Sequence, residues 1–159
     1  MRYEVEENIL SLGRDLRVQG AHGAVLYRAH GPAVKAREEL RFDDGHGAEQ
    51  AFIKEPFLSD GKTFEVHRGG QRVATLKEVT STSGPGADIT LDAGGRMEAR
   101  GKLAESDYVI RVPGLADVAA VTRRGTDGYN LDTVPNQDDV LLLASTIAIR
   151  IMAQRGQPR

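Results

Sequence analysis

From Val140 to Ile149 the chain reads Val-Leu-Leu-Leu-Ala-Ser-Thr-Ile-Ala-Ile, its one long apolar run without a charge. The run lies at the end of the sequence, behind a long series of segments that read as short strands, so those segments are what must bury it. Asn136 suits an N-cap, and Asp138 and Asp139 put negative charge at the positive end of the helix dipole. Arg155 and Gly156 supply a cation in the last turn and a residue that tolerates the left-handed C′ conformation, and Pro158 prevents continuation. Between these ends Val140, Leu141, Leu142, Leu143, Ile147, Ile149, Ile151 and Met152 cover nearly the whole circumference, and a helix apolar all round is buried all round. The polar line Thr146, Arg150 and Gln154 runs toward the C-terminal end, where Arg150 can keep its stem in apolar surroundings and send its guanidinium out of a barrel mouth.

The preceding sequence is a repeated hairpin. Leu16/Val18, Leu40/Phe42, Phe64/Val66, Ile89/Leu91 and Ile110/Val112 each space two apolar residues two apart. Each pair leads into a turn: Gly20–Gly23, Asp43–Gly47, Arg68–Gln71, Asp92–Gly95 and Pro113–Asp117. Returning segments follow at Val25–Arg28, Ala51–Lys54, Val73–Lys77, Met97–Arg100 and Val118–Arg123. Period-two alternation with glycine turns marks antiparallel hairpins, since tight turns need positive φ. Thr80–Gly86, rich in Ser, Thr, Gly and Pro, is expected to be a long loop joining two halves of the sheet. The fold class is therefore mainly β: about twelve strands in a closed antiparallel barrel of consecutive hairpins around the central apolar C-terminal helix. The rival is a lipocalin-like barrel with the helix packed outside, but such a helix should be amphipathic. Residues 1–155 read as a single domain and 156–159 as a short polar tail.

Composition narrows the function classes. A net charge of −2 gives no bulk attraction to nucleic acid. The absence of cysteine excludes disulfides, thiolate zinc sites and cysteine nucleophiles. The start, Met1-Arg-Tyr-Glu-Val-Glu-Glu, lacks the basic and apolar blocks of a signal peptide. The final apolar run falls short of the roughly 20 residues a bilayer span takes. A cytoplasmic location is expected, with peripheral attachment to a membrane left open.

Particular segments carry a family resemblance: Arg2-Tyr3, then Ile9-Leu-Ser-Leu-Gly-Arg-Asp-Leu-Arg-Val18 leading into Val25-Leu-Tyr-Arg28. Ala51-Phe-Ile-Lys-Glu-Pro-Phe-Leu-Ser59, Thr63–Val66 and Val73–Lys77 continue it, and Gly128-Tyr-Asn-Leu-Asp132 before Asp138–Ala144 closes it. In pattern and order, across nearly the whole chain, the sequence resembles the LURP-one-related family of the tubby C-terminal-like superfamily, with phospholipid scramblases as more distant relatives. It departs at Arg150, where such proteins often carry an acid. The resemblance implies a barrel closed on a central helix and no settled enzymatic reaction. Tubby domains bind phosphoinositides and scramblases act on lipids, so it also implies anionic lipid as a partner. Scramblase activity is not expected of a chain with neither a spanning segment nor a cysteine for palmitoylation.

Basic residues end the return arms at Arg28, Lys54, Lys77, Arg100 and Arg123, joined by Arg124. With neighbouring hairpins in register they would form a rim for lipid phosphates. The simpler account is that they solvate strand ends, and the interspersed Glu38, Glu39, Glu55 and Glu78 favour it. His22, His30, His46 and His67 read as surface residues, without metal-site spacing. Ser11, Ser59 and Ser106 lack a nucleophile-elbow or base pattern. Asp127–Asp132 is acidic, but Tyr129 and Leu131 stand where a calcium loop needs oxygens. Gly69-Gly70 and Gly94-Gly95 lie between strands, as turns rather than phosphate loops. The expected function is a non-enzymatic module, without cofactor or metal, binding anionic phospholipid or phosphoinositide headgroups. The alternative is a protein-interaction or scaffold domain without lipid binding.

Overall fold

Alternation carries the architecture. In the computed structural model, which describes residues 1–32, 37–57, 62–82 and 84–155, the strands are β1 (Arg2–Glu7), β2 (Arg14–Gln19), β3 (Val25–Gly31), β4 (Glu39–Asp44), β5 (Glu49–Lys54) and β6 (Thr63–Arg68). They continue as β7 (Gln71–Ser81), β8 (Gly84–Leu91), β9 (Arg96–Lys102), β10 (Asp107–Arg111), β11 (Asp117–Arg124) and β12 (Gly128–Thr133). A 3-10 turn at Leu103–Glu105 separates β9 from β10, and α1 (Asp139–Arg155) ends the described chain. Each strand pairs antiparallel with its neighbours in sequence, and β1 pairs with β12 through Tyr3↔Leu131 and Val5↔Tyr129, which closes the barrel.

One face of every strand is buried: Tyr3 and Val5, Leu16 and Val18, Leu40 and Phe42, Phe64 and Val66, then onward to Tyr129 and Leu131. Each return arm, from β3 to β11, also places an alanine inside: Ala29, Ala51, Ala74, Ala99 and Ala119. Small residues among large ones leave room on the axis for a helix, where bulkier side chains would fill the lumen by themselves. At the β6–β7 turn Gly69 and Gly70 take φ of 58° and 80° between the paired Arg68 and Gln71, a conformation costly for residues with a Cβ.

Helix α1 occupies the lumen. Residues Leu141 to Ile149, with Ile151 and Met152, are buried, and Leu143, Ala144, Ile147, Ala148 and Ile149 have no exposed surface. Thr146 is equally buried. Its hydroxyl donates to the Leu143 carbonyl at 2.9 Å and accepts from the Tyr129 hydroxyl at 2.8 Å, so the polar line of the helix begins inside the core as a satisfied pair.

The structure corrects three sequence expectations. Thr80–Gly86 is not a long loop: β7 and β8 stay paired through Val79↔Gly86, Thr80↔Pro85 and Ser81↔Gly84, with Ser83 outside the described residues. Pro85 is accommodated because β9 stops pairing with β8 at Gly86, so no ladder partner awaits its missing N–H. The N-cap is Asp138 rather than Asn136. The Asp138 carboxylate accepts from Leu141 N–H at 3.2 Å, while Asn136, at φ 67°, makes the left-handed corner that turns the chain into the barrel. The Arg150 side chain is also only 13% exposed, turned onto Glu7 rather than out to water. Gly156, Pro158 and the tail 156–159 lie outside the described residues, as does Ser59.

If α1 is the core, Leu143→Asp places an unpaired carboxylate on the barrel axis and is expected to abolish folding, whereas Leu143→Ala costs about 2–5 kcal/mol and still folds. Circular dichroism and thermal melts check both. A folded, fully stable Leu143→Asp protein would contradict the axial placement.

Candidate functional site

The barrel has two unlike ends. The turns joining β2–β3, β4–β5, β6–β7, β8–β9 and β10–β11 gather at one, the turn end, with the start of α1. The other, the loop end, carries segment 8–13, the connections after β3 and β5, the 3-10 turn, the 125–127 turn and the C-terminal part of α1. At the turn end Asp138 pairs with Arg68 at 2.7 Å, and Asp139 accepts from the Tyr3 hydroxyl at 2.5 Å. Burial first, and then the Asp139 contact, raise the Tyr3 phenol above its ordinary pKa.

The loop end is built on an ion cluster. Glu7 closes β1, Glu38 precedes β4 and Glu55 follows β5. Arg14 lies 2.9 Å from Glu7 and 3.3 Å from Glu38, Arg150 lies 3.4 Å from Glu7, and Arg155 lies 2.6 Å from Glu55 and 3.8 Å from Glu38. Glu55 also accepts the Glu38 backbone N–H at 2.7 Å. The Glu38 and Glu55 side chains are 4% and 7% exposed, so these cations are what makes their burial tolerable. Arg150 and Arg155 further lie over the rings of Tyr129 and Phe64, at 5.9 and 5.5 Å. The cluster ties the roots of three loops to the end of α1.

Next to it opens a polar cleft of about 310 Å³ lined by Glu105, Ser106, Arg123, Thr126, Gly128, Arg150 and Gln154. A mainly apolar pocket of about 150 Å³, formed by Pro85, Ile149 and Met152 with Glu78, shares Leu103, Ala104 and Ala153 with it. The shared wall is the 3-10 turn, which Ser106 ends in a left-handed conformation (φ 52°). The Arg123 guanidinium, with a hydroxyl and an amide beside an apolar wall, can hold an anion attached to a hydrocarbon group, while the Arg150 guanidinium is engaged by Glu7. Burial raises the phenols of Tyr108 and Tyr129 above their ordinary range, so both stay neutral beneath it.

The basic strand ends are distributed unequally. Arg123 shares the inward parity of Val121, opposite Tyr129, and reaches the cleft, its Nε donating to the Gly125 carbonyl at 3.0 Å. Arg124 faces outward onto Glu4 at 3.4 Å, Arg28 onto Asp15 at 3.3 Å, and Arg100 onto Asp88 at 2.9 Å and Glu98 at 3.6 Å. Among the described residues Lys54 and Lys77 have no ion-pair partner, and Lys77 is exposed. Lys54 stands opposite Glu65 and through it Thr75, two residues short of Lys77; Lys77 stands opposite Asp88 and through it Glu98, two short of Arg100. The three form a stepped line rather than one hydrogen-bonded row.

His22 and His46 are exposed, whereas His30 and His67 are held by Asp43 and Glu65, each at 2.9 Å. Among the described residues no group of three or more His, Asp or Glu could hold a metal ion. Among the described residues no helix is long and apolar enough to cross a membrane. The sequence offers Ser106 only as a nucleophile, and it does not single out the exposed Ile9, Leu10, Leu12 and Phe57; for segment 9–12 the available signal is the break in alternation at Ile9-Leu-Ser-Leu12.

The Arg155 hydrogen bond, with the Glu38 N–H and the Arg155 charge, holds the Glu55 carboxyl below its ordinary value of 4.5 against burial, which pushes it up. A depressed carboxylate stabilises the fold fully above that value, and the contribution is lost as pH falls through the lower folded pKa. Glu55→Gln is therefore expected to lower Tm at neutral pH and to flatten the fall in Tm toward about pH 3. Melting curves parallel to wild type at every pH would remove Glu55 from the account.

The LURP-one-related family matches residues 1–150. Among solved structures the fold is similar to an X-ray structure of a protein from Arabidopsis thaliana, with a TM-score of 0.69 and 19% identity over 94% of this chain and 89% of that one. At that identity the likeness is one of fold. No curated protein matches the sequence. The family match spans all twelve strands and α1 as far as Arg150, the elements that close the barrel on its helix, and the chain therefore belongs to the LURP-one-related family.

Proposed function

We propose that this protein is a non-enzymatic cytoplasmic module that binds an anionic ligand, with phospholipid or phosphoinositide headgroups as the ligand class. The observation that carries the reading is the loop-end cleft, in which Arg123 shares one polar space with Ser106, Gln154 and the Glu7-paired Arg150 beside an apolar wall, Glu105 in its lining being paired with Lys102. A guanidinium offers a phosphate two parallel donors, and an apolar pocket alongside suits the glycerol and upper acyl region of a lipid. Lys54 and Lys77 add outward-facing charge. Arg150, like Arg28, Arg100 and Arg124, would have to exchange a carboxylate for a ligand, so these contribute less per residue than Arg123, which has no ion-pair partner among the described residues.

Co-sedimentation with vesicles of phosphatidylcholine alone, or mixed with phosphatidylserine or a phosphoinositide, tests the reading. Binding is expected with acidic vesicles, to weaken steeply toward about 0.5 M salt, and to fall about fivefold in Arg123→Gln. Equal partitioning into neutral and acidic vesicles, or indifference to salt, would overturn it in favour of the scaffold alternative.

A further inference from the structure

The loop end carries a second feature besides its cleft. Segment 8–13 is a built turn: Asn8 N–H donates to the Asp15 carbonyl at 2.8 Å, Ser11 N–H to the Asn8 carbonyl at 3.2 Å, and Leu10 N–H to the Asn8 side chain at 3.1 Å. Arg14, at its root, is clamped between Glu7 and Glu38. With the backbone held in this way, Ile9, Leu10 and Leu12 stand 67%, 90% and 93% exposed. Phe57, 79% exposed, projects from the connection after β5. That connection is rooted by Glu55 in the same ion cluster, so the two sets of apolar tips belong to one braced end.

Charge indicates what those tips meet. Phe57 has the Arg37 guanidinium, itself paired with Glu39, 5.8 Å from its ring centre and follows Lys54 by three residues, with Glu55 between them paired to Arg155. The opposite end has an exposed leucine of its own, Leu115 at 82%, but there Asp44 and Asp117 have no ion-pair partner among the described residues, while Asp92 and Asp138 are paired with Arg72 and Arg68. An anionic surface meets those two unpaired carboxylates at the turn end, whereas beside the apolar tips Glu7, Glu38, Glu39 and Glu55 are each paired with an arginine and Lys54 has no ion-pair partner among the described residues. The shape agrees. Side chains exposed by nine-tenths stand proud of their surroundings, which suits a fluid phase that closes round each of them better than a rigid protein face.

We propose that the loop end seats on an anionic membrane surface, with Ile9, Leu10, Leu12 and Phe57 entering the boundary between headgroups and acyl chains. The cleft with Arg123 and Arg150 opens at the same end and thus faces the headgroups. This orientation rests on the anionic-lipid reading of the cleft and adds to it which end of the barrel docks and by what contact.

The chain contains no tryptophan, so a single introduced indole reports its own surroundings. In Leu12→Trp and Phe57→Trp, fluorescence is expected to shift to the blue and to be quenched by brominated acyl chains when phosphatidylserine-containing vesicles are added. Leu115→Trp at the other end should not respond. Leu10→Ser combined with Leu12→Ser should lower the vesicle partition coefficient about tenfold or more, with the melting temperature unchanged. If the protein sediments with acidic vesicles while the indoles of Leu12→Trp and Phe57→Trp do not respond and the serine variant partitions like wild type, insertion is wrong and headgroup binding stands. Failure to sediment with any vesicle removes both. A blue shift that grows with protein concentration in the absence of lipid would assign the tips to a second copy of the chain and overturn the membrane proposal.

Discussion

The fit of α1 into the barrel lumen is the constraint on which the remaining structure depends. A closed sheet of twelve strands leaves space on its axis, and this chain widens that space by turning an alanine inward from each return arm. Left to water, the lumen would expose Phe42, Phe64 and Leu76 on one side and the leucines and isoleucines of the helix on the other. Leu142, Leu143, Ile147, Ile149, Ile151 and Met152 are essentially fully buried. At about 1.5–3 kcal/mol for each such side chain, their burial contributes as much as the 5–15 kcal/mol net stability of an ordinary domain. Barrel and helix are therefore one cooperative unit. The Tyr129–Thr146 hydrogen bond adds direction to this packing, since it fixes one rotation of the helix against β12.

A helix threaded along the axis leaves polar ends that the barrel must also satisfy. At the turn end Asp138 and Asp139 meet the exposed N–H groups, and Arg68 and Tyr3 tie those carboxylates to the wall. At the loop end Arg150 and Arg155 bring cations to the last turns, where loop glutamates receive them. Both mouths are thus closed by ion pairs, aspartates of the helix start on wall residues at one and arginines of the helix end on glutamates at the other. The lumen is full, so binding is left to the outer wall and the mouths. The loop mouth combines charge, a cleft and projecting apolar side chains.

Much of this was legible in the sequence. The spacing of Leu40/Phe42 and Phe64/Val66, with the glycine turns after them, specifies paired strands, and the unbroken apolar run of 140–149 specifies burial on all sides. Thr80–Gly86 was misleading because composition records loop-forming residues and not the neighbour that keeps them extended; β7 and β8 hold each other through Ser81↔Gly84. Asn136 and Asp138 are both competent caps, and which one serves depends on where the chain must turn to enter the barrel. The site was less legible still. The recurrence of Arg28, Lys54, Lys77, Arg100 and Arg123 suggests a rim, yet side-chain parity sends Arg123 into the cleft while Arg124 turns outward. That parity could have been read from Val121. The partners of Arg150 could not, because Glu7 is far away in sequence and adjacent only once the barrel has closed.

Native-state hydrogen exchange tests the central claim most directly. If α1 is the core on which the barrel closes, the amides of Leu143 to Ile151 exchange only through global unfolding, with the same free energy as those of β6, β7 and β12. Exchange of the helix at markedly lower free energy, while those strands stay protected, would mean that the barrel persists without it and would contradict the account.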